Sequence, residues 1–514
     1  MHDTRLGPLV QSSRRLQLSD TAALWLMGFG FMLLHLVAGM RYGFHRDELL
    51  SFNNALDLEW GYVVYPPITA WLGRIELVLF GTSLPGFRVL PAVASGLLAV
   101  LTGLIARDLG GGRKAMLVAG FAASIGGSTL FAGSFMSYMS FDLLWWVGAA
   151  WCVARLLRTG DGRWWLGVGA FIGLGLMTKY TMAFFALGTL GGMLLTENRR
   201  HLRSGWFWAA VALAMAIVAP NIWWQQQHHL AGLAWMKSIH ARDIRLGRTD
   251  YFLLNQLWKV AQPVTTPIWV AGLWFLFGET KGERYRMLGW MYIITLLGLW
   301  AARGRDYYVG PAYPMLMAAG AVWGEKWLQS LRPSAQARAF RATWITLMVG
   351  AVTVATLVMP VAPVNSAWWR IADTANGGNF NMQIGWPELA RTVADVVASL
   401  PPDQRARLGV IAGDEGSAGA VNLYGAAYGL PRAISGMNSN WLRGYGDPPP
   451  ETLIAVGMDP DFLERHFTSC RAAARLTNSY GLTNDTIGKY TTVFLCGPPR
   501  AGWPEFWEHF QYYG

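Results

Sequence analysis

Along this chain, long apolar runs alternate with short polar loops. A bilayer core needs about 20 mostly apolar residues per helix, because no water is present there to satisfy an open backbone. About eleven runs meet that length. Ten of them end near Met40, Arg107, Phe135, Leu157, Lys179, Thr196, Trp223, Phe277, Ala301 and Trp327, and the last covers residues 342–360. The first, 21–40, is too long for the core of a signal peptide and is not followed by a small-residue cleavage pattern, so it is expected to remain as a span. Beyond residue 360 the pattern changes. Residues 361–514 contain no spanning run but mix two periodicities: helices over 386–400 and 417–428, and strands over 408–412, 452–456 and 491–495. The fold class expected is a polytopic α-helical membrane protein, residues 1–360, followed by a C-terminal extracytoplasmic α/β domain, residues 361–514.

The polar positions set the sidedness. Every second short loop is basic: Arg14 and Arg15; Arg107, Arg113 and Lys114; Arg155, Arg158 and Arg163; Arg199, Arg200 and Arg203; Lys281, Arg284 and Arg286; Lys326, Arg332, Arg338 and Arg341. The positive-inside rule places these loops and the amino terminus in the cytoplasm. Residues 41–85, the connections near Ser137 and Tyr180, residues 224–262 and 303–308, and everything after 360 then lie outside.

Composition agrees. Of 514 residues, 53% are hydrophobic and 14% charged, against roughly 25% charged in soluble domains. The net charge of +11 invites a nucleic-acid partner, but much of the excess sits in the cytoplasmic loops, and neither a recognition fold nor basic-aromatic interleaving is present. Three cysteines exclude a disulfide scaffold; Cys470 and Cys496 share the outer domain, where a disulfide is permitted, and Cys152 lies in a span. The absence of an internal repeat weighs against a secondary transporter.

Candidate chemistry concentrates on the outer side. The loop 41–85 opens with His45-Arg46-Asp47-Glu48, continues with helical periodicity, passes Tyr65-Pro66-Pro67 and ends in a second amphipathic stretch, 68–80. Two helices along the membrane surface fit, with the acidic pair at the start of the first, where the helix dipole favours negative charge. Adjacent helical residues point about 100° apart, so Asp47 and Glu48 cannot both face one atom. One acts while the other orients a neighbour or a divalent metal, although no spaced His or Cys motif marks a metal site. A solvated helix start is the plain alternative. Arg88, Asp142, Lys179 and Tyr180 fall at outer ends of spans. Intramembrane ionisable groups usually face a cavity; snorkelling is the other explanation for Arg88 and Lys179. Arg303 and Arg305, with Asp306, Tyr307 and Tyr308, occupy a short outer loop against the positive-inside trend, and arginine there suits a lipid phosphate. No Gly-x-Ser-x-Gly elbow supports a serine nucleophile. The turn Gly413-Asp414-Glu415-Gly416 lacks the spaced glycines of a nucleotide loop. Trp441, Trp503 and Trp507 either stack on sugars or fill the outer core.

Several stretches carry a resemblance: 45–67, Leu84-Pro85-Gly86-Phe87-Arg88-Val89-Leu90-Pro91, Gly175 to Tyr180, Arg305 to Tyr308 with Pro311-Ala312-Tyr313-Pro314, and, in the outer domain, Tyr424-Gly425, 429–436 and 438–441. Together they resemble bacterial members of the dolichyl-phosphate-mannose-protein mannosyltransferase-like family, GT-C membrane glycosyltransferases related to the aminoarabinose transferase of lipid A. The resemblance implies a polyprenyl-phosphate sugar donor, an outer active site and inversion at the anomeric carbon. It assigns Asp47 as base with Glu48 beside it, Tyr65 and Pro66 to the donor-side loop, and Lys179, Arg305, Asp306 and Tyr307 to the pocket or its phosphate. Asp142 and Arg305 depart from the residue types expected there. Together with His45, Arg46, Arg88, Tyr180, Arg303 and Tyr308, these are the candidate site residues. The acceptor is a lipid, a glycan or a protein. A flippase for lipid-linked sugars, without transfer, and a glycan-binding structural partner are the competing functions.

Overall fold

A computed structural model describes residues 19–484 and 488–514; Arg14 and Arg15 lie outside them. The helical part runs α1 (Asp20–Gly39), α2 (Arg46–Leu56), α3 (Ile68–Phe80), α4 (Val89–Asp108), α5 (Arg113–Ser124), α6 (Gly127–Ala132), α7 (Tyr138–Thr159), α8 (Trp164–Leu176), α9 (Met182–Leu194), α10 (Gly205–Gln227), α11 (Ala231–Arg245), α12 (Phe252–Asn255), α13 (Thr266–Gly278), α14 (Arg286–Ala301), α15 (Tyr313–Ser330) and α16 (Pro333–Val358). Helices α1, α4, α5, α7 to α10 and α13 to α16 correspond to the apolar runs. Five of them, α1, α4, α7, α10 and α16, are long and apolar enough to cross a membrane. Only 11% of the apolar window of α16 is buried in protein, and a bilayer is the solvent that covers such a face. The chain is a polytopic membrane protein.

Two details differ from the expected pattern. The run ending near Phe135 is not one helix: α5 stops at Ser124, Gly126 and Gly127 interrupt it, and α6 follows, because paired glycines forfeit the most backbone entropy in a helix. Helix α2 does not lie open on a surface; Glu48 to Ala55 are all buried. Elsewhere small residues let helices approach closely, as in other membrane bundles. A Cβ on Gly320 of α15 would sit 1.7 Å from the carbonyl oxygen of Ile268 on α13, and one on Gly272 2.0 Å from that of Leu316.

Beyond α16 come α17 (Ala367–Ala375), α18 (Trp386–Ala398), α19 (Pro402–Ala406), β1 (Leu408–Ala412), α20 (Glu415–Tyr424), β2 (Ala433–Ile434), β3 (Thr452–Val456), α21 (Pro460–His466), β4 (Arg471–Arg475), β5 (Thr492–Cys496) and α22 (Trp503–His509). The sheet order is β2-β1-β3-β5-β4. Strand β1 pairs parallel with β2 and β3, whereas β5 pairs antiparallel with β3 and β4. The helix expected over 417–428 starts at Glu415, because the Asp414 carboxylate accepts from the Ser417 amide at 3.0 Å, and it closes in a 3-10 turn from Gly425. Cys470 and Cys496 form a disulfide. Trp503 and Trp507 are buried with Phe506 and Phe510, and Trp441 packs on them, so these rings are core.

This second part docks on α2 through α20. Gly419 has no room for a side chain: a Cβ there would lie 2.6 Å from the Leu49 Cβ and 2.7 Å from its carbonyl oxygen. Arg432 and Arg443 pair with Asp57 at the far end of α2, and Arg443 also donates to Asn54 at 2.7 Å. Gly419→Val should therefore cost about 1–3 kcal/mol through overpacking, seen as a lower melting temperature of the purified chain; an unchanged melt would show that the two parts are not pressed together here.

Candidate active site

The start of α2 is built around a buried carboxylate. His45 caps the helix, its Nδ1 accepting from the Asp47 amide at 3.1 Å while the Glu48 side chain accepts from the His45 amide at 2.7 Å. Glu48 is fully buried. Its Oε1 accepts from Arg88 Nε at 2.8 Å and from the Met136 amide at 2.9 Å, and its Oε2 also pairs with Arg88. Arg88, likewise buried, donates further to the carbonyls of Gly39 and Gly43. Glu48 and Arg88 thus occupy each other and the surrounding backbone, and neither is open to a ligand.

One residue earlier, Asp47 turns the other way and keeps 48% of its side chain exposed. Burial opposes its ionisation, but the fields of His45 and Arg46, a hydrogen bond from Arg46 and the field of Arg305 outweigh this and hold the carboxyl below the usual aspartate range. Burial also lowers the His45 pKa, whereas Arg46 and Arg305 stay charged at any pH of interest. The His45 Nε2 faces Asn379 Oδ1 at 3.2 Å, which fixes the neutral tautomer with its proton there.

Asp47 interacts electrostatically with two residues of distant elements, Arg305 and Tyr138. A cavity between α7, the α8–α9 connection and the 306–312 turn is lined by Ser128, Tyr138, Asp142, Lys179, Tyr307 and Tyr308. The Lys179 ammonium lies 3.9 Å from the ring centre of Tyr138, 4.1 Å from that of Tyr308 and 5.5 Å from that of Tyr307. Ring faces attract a cation without neutralising it. Asp142 is buried and accepts from the Trp146 indole at 2.9 Å. Arg305 is held in a fork by Asp243 of α11, at 2.6 and 2.7 Å, and turns its remaining nitrogen to the Tyr307 hydroxyl at 3.2 Å.

Other sequence candidates lie apart from the cavity. Asp306 is buried and accepts from Asn255, Lys259 and the Tyr307 amide at 2.8, 3.0 and 2.8 Å, which pins its turn. Tyr180 bonds Asn221 and Gln225 of α10. Tyr65 is buried against Ser51 and Asn54, both at 3.3 Å, with Pro66 buried beside it. Arg303 is exposed. The donors around Asp47 do not fit a metal ion: both oxygens of Glu48 and both ring nitrogens of His45 are engaged, and among the described residues no group of three or more His, Cys, Asp or Glu side chains converges.

Comparison with known proteins bears on the fold that carries this geometry. The family model of the dolichyl-phosphate-mannose-protein mannosyltransferases matches residues 64–224. The structure superposes on crystal structures of ArnT from Cupriavidus metallidurans, bound to undecaprenyl phosphate and in the apo state. The TM-scores are 0.55 and 0.57, at 15% identity, covering 93% of this chain and 98% of the other. The chain has the GT-C fold. Among sequence relatives, the lipid A galacturonosyltransferase RgtD of Rhizobium johnstonii is 27% identical over 285 residues, 51% of this chain and 56% of that one. The polyprenol-phosphate-mannose–protein mannosyltransferase of Corynebacterium glutamicum is 29% identical over 171 residues, 28% of this chain and 33% of its own length. This chain therefore spans about half of the first relative and a third of the second.

Within this GT-C fold three residues were not anticipated. Tyr138 follows the serine that caps α7; a tyrosine opening a span beside an outer loop was the available signal. Asp243 is the lone acid among Arg242, Arg245 and Arg248 in an outer segment, a pattern that asks for a buried partner. Glu415 opens α20, and a Cβ on its neighbour Gly416 would lie 2.8 Å from Arg46 Cγ. Burial, with the field of Asp47 adding to it, pushes the Glu415 carboxyl up to about 8, and its Oε1 has no hydrogen-bond partner among the described residues. Only the docked second part brings it here. For the anchor, Arg88→Met strands the buried Glu48 carboxylate and should cost about 3–5 kcal/mol, measured by thermal denaturation in detergent; a loss below about 1 kcal/mol would show that the pair does not hold α2.

Proposed function

We propose that this chain is an inverting glycosyltransferase that moves a sugar from a polyprenyl-phosphate donor to a hydroxyl of a lipid, glycan or protein acceptor, at the outer face of a bacterial inner membrane. The basic loops face the cytoplasm in this proposal. Residues 1–360 carry the chemistry and 361–514 close the site from the outside. The observation that carries it is a half-open carboxylate, Asp47, within the electrostatic reach of Arg305 and Tyr138, whose ring in turn faces the Lys179 ammonium at 3.9 Å. The match to a family named for sugar transfer from a lipid phosphate, and the relatives named as transferases, support it over a flippase, which has no use for a base.

Asp47 takes the proton from the acceptor hydroxyl while that oxygen attacks the anomeric carbon from the face opposite the phosphate. The bond from the anomeric carbon to the phosphate oxygen breaks, and its electron pair leaves on the polyprenyl phosphate. Lys179 stabilises that charge, with Arg305 and the hydroxyls of Tyr138 and Tyr307 beside it. A single displacement inverts the configuration. Asp142 balances Lys179 across the cavity, and Glu415, protonated near neutral pH, offers a donor to the acceptor. Glu48, Arg88, His45 and Asp306 position these groups; Arg46 tunes Asp47; Tyr65 with Pro66, and Tyr180, shape the walls; Arg303 meets headgroups at the rim.

Asp47→Asn should lower transfer from a labelled polyprenyl-phosphate sugar by about 10²–10⁴-fold while leaving donor binding within a few-fold, measured by turnover and by donor titration; near-normal turnover would remove the base. The pH profile is the second test. A base must be deprotonated, and the Asp47 pKa lies below the ordinary 3.8, so kcat/KM should stay level from neutral pH down to that value and fall only as the pH passes below it. Arg305→Gln removes a positive field and should move this acid limb upward; an unmoved limb would uncouple the two residues.

A further inference from the structure

The end of the bundle away from Asp47 holds a second polar cavity that sugar transfer does not use. Helix α4 begins beside Glu48 and ends at Asp108, and its 20 residues separate the two sites by about 30 Å. The cavity, of about 600 Å³, is lined by Arg107, Asp108, Gly110, Arg155, Arg158 and Tyr285, where the last turns of α4 and α7 meet the turn that precedes α14. Asp108 is its fixed point. Its carboxylate is buried and accepts from Arg155 at 3.1 Å, from Arg158 at 2.6 Å and from the Trp151 indole at 3.1 Å, while its carbonyl accepts from the Tyr285 hydroxyl at 2.7 Å. Arg284, from the same turn, is spent on the carbonyls of Leu157 and Arg158.

Three guanidinium groups around one carboxylate leave two positive charges facing the cavity. The Nε atoms of Arg107 and Arg155 are buried with no hydrogen-bond partner among the described residues. A buried donor left unmade is costly, and a phosphate oxygen is the acceptor that arginine's planar fork matches in shape and charge. The depth of the site selects the kind of phosphate. Arg155 stacks on Trp164 at 5.0 Å, Trp164 packs edge-on against Trp151, and Trp206 and Trp208 are exposed at the start of α10. Indole rings gathered with arginines at the ends of spans mark the level of lipid headgroups, and basic pockets between spans at that level suit anionic headgroups. We infer that this cavity binds the phosphodiester headgroup of an anionic membrane lipid, which ties the ends of α4 and α7 to the turn before α14.

The test reads binding and is independent of transfer chemistry. Full-length protein stripped in neutral detergent is supplied with phosphatidylglycerol or phosphatidylcholine, and retained lipid is counted by native mass spectrometry beside thermal melts. The wild type should hold phosphatidylglycerol about tenfold or more tighter than phosphatidylcholine and melt higher with it. Arg107→Gln/Arg158→Gln keeps the Arg155–Asp108 pair and should lose both effects while melting normally in phosphatidylcholine. If that pair fails to fold, Arg107→Gln alone serves, because the Arg107 Nε has no partner to lose. Unchanged phosphatidylglycerol retention by the variant overturns the site. Inorganic phosphate or pyrophosphate raising the melt as much as the lipid overturns the lipid assignment in favour of a free anion.

Discussion

The candidate site depends on one ion pair buried outside the reaction centre. Glu48 is removed from water, yet each of its oxygens receives two donors: Arg88 and the Met136 amide on one, Arg88 and the His45 amide on the other. A buried pair is tolerable only when its remaining valences are filled in this way. Filling them joins the end of α1, the loop that follows, the first turn of α2, the start of α4 and the segment before α7 at one point. The rotation of α2 about its axis is thereby fixed. Because neighbouring helical residues point about 100° apart, fixing Glu48 inward leaves Asp47 half-exposed, in the field of Arg305. Two acids that look equivalent in the chain become a buried anchor and a half-open carboxylate.

That division shows what the sequence disclosed and what it withheld. Apolar length made the spans visible, since a bilayer accepts little else, and strands 408–412 and 452–456 were visible because both are short buried runs. The interruption at Gly126-Gly127 was written in the chain but hidden by the apolar residues around it. Strand β4, Arg-Ala-Ala-Ala-Arg, has an exposed edge and too little hydrophobic contrast to declare itself. In the site, residue types were legible and partners were not. Arg305 read as a cation awaiting phosphate, yet Asp243, 62 positions away, already holds two of its nitrogens. Glu415 enters only because Gly416 and Gly419 let α20 lie against α2, and no local pattern announces a contact across more than 360 residues.

The cations around the cavity are held by different means, and the difference bears on catalysis. Arg305 is held by a carboxylate that Arg242 and Arg248 also approach, so its fork is oriented while its positive field persists. Lys259 is likewise spent on Asp306. Lys179 instead rests among three tyrosine rings, whose faces stabilise an ammonium without cancelling it. Placing one charge on the caged lysine and the directional donor on the forked arginine separates attraction from alignment. In the proposed reaction a leaving phosphate then meets both functions without an arginine having to abandon its partner.

The same electrostatic logic, applied to the other end of the bundle, gives a different arrangement. There one carboxylate, Asp108, serves two arginines while a third stands by, so the surplus charge is shared over a wide fork-lined surface instead of being confined to one caged ammonium. A narrow cage suits a charge that develops and departs during turnover, whereas a broad cluster suits a headgroup that stays. The length of α4, about 30 Å, sets the two clusters at opposite ends of the bundle, several times the width of a phosphate group apart. One phosphate therefore cannot bridge the two clusters, and in the proposed roles each answers to its own ligand.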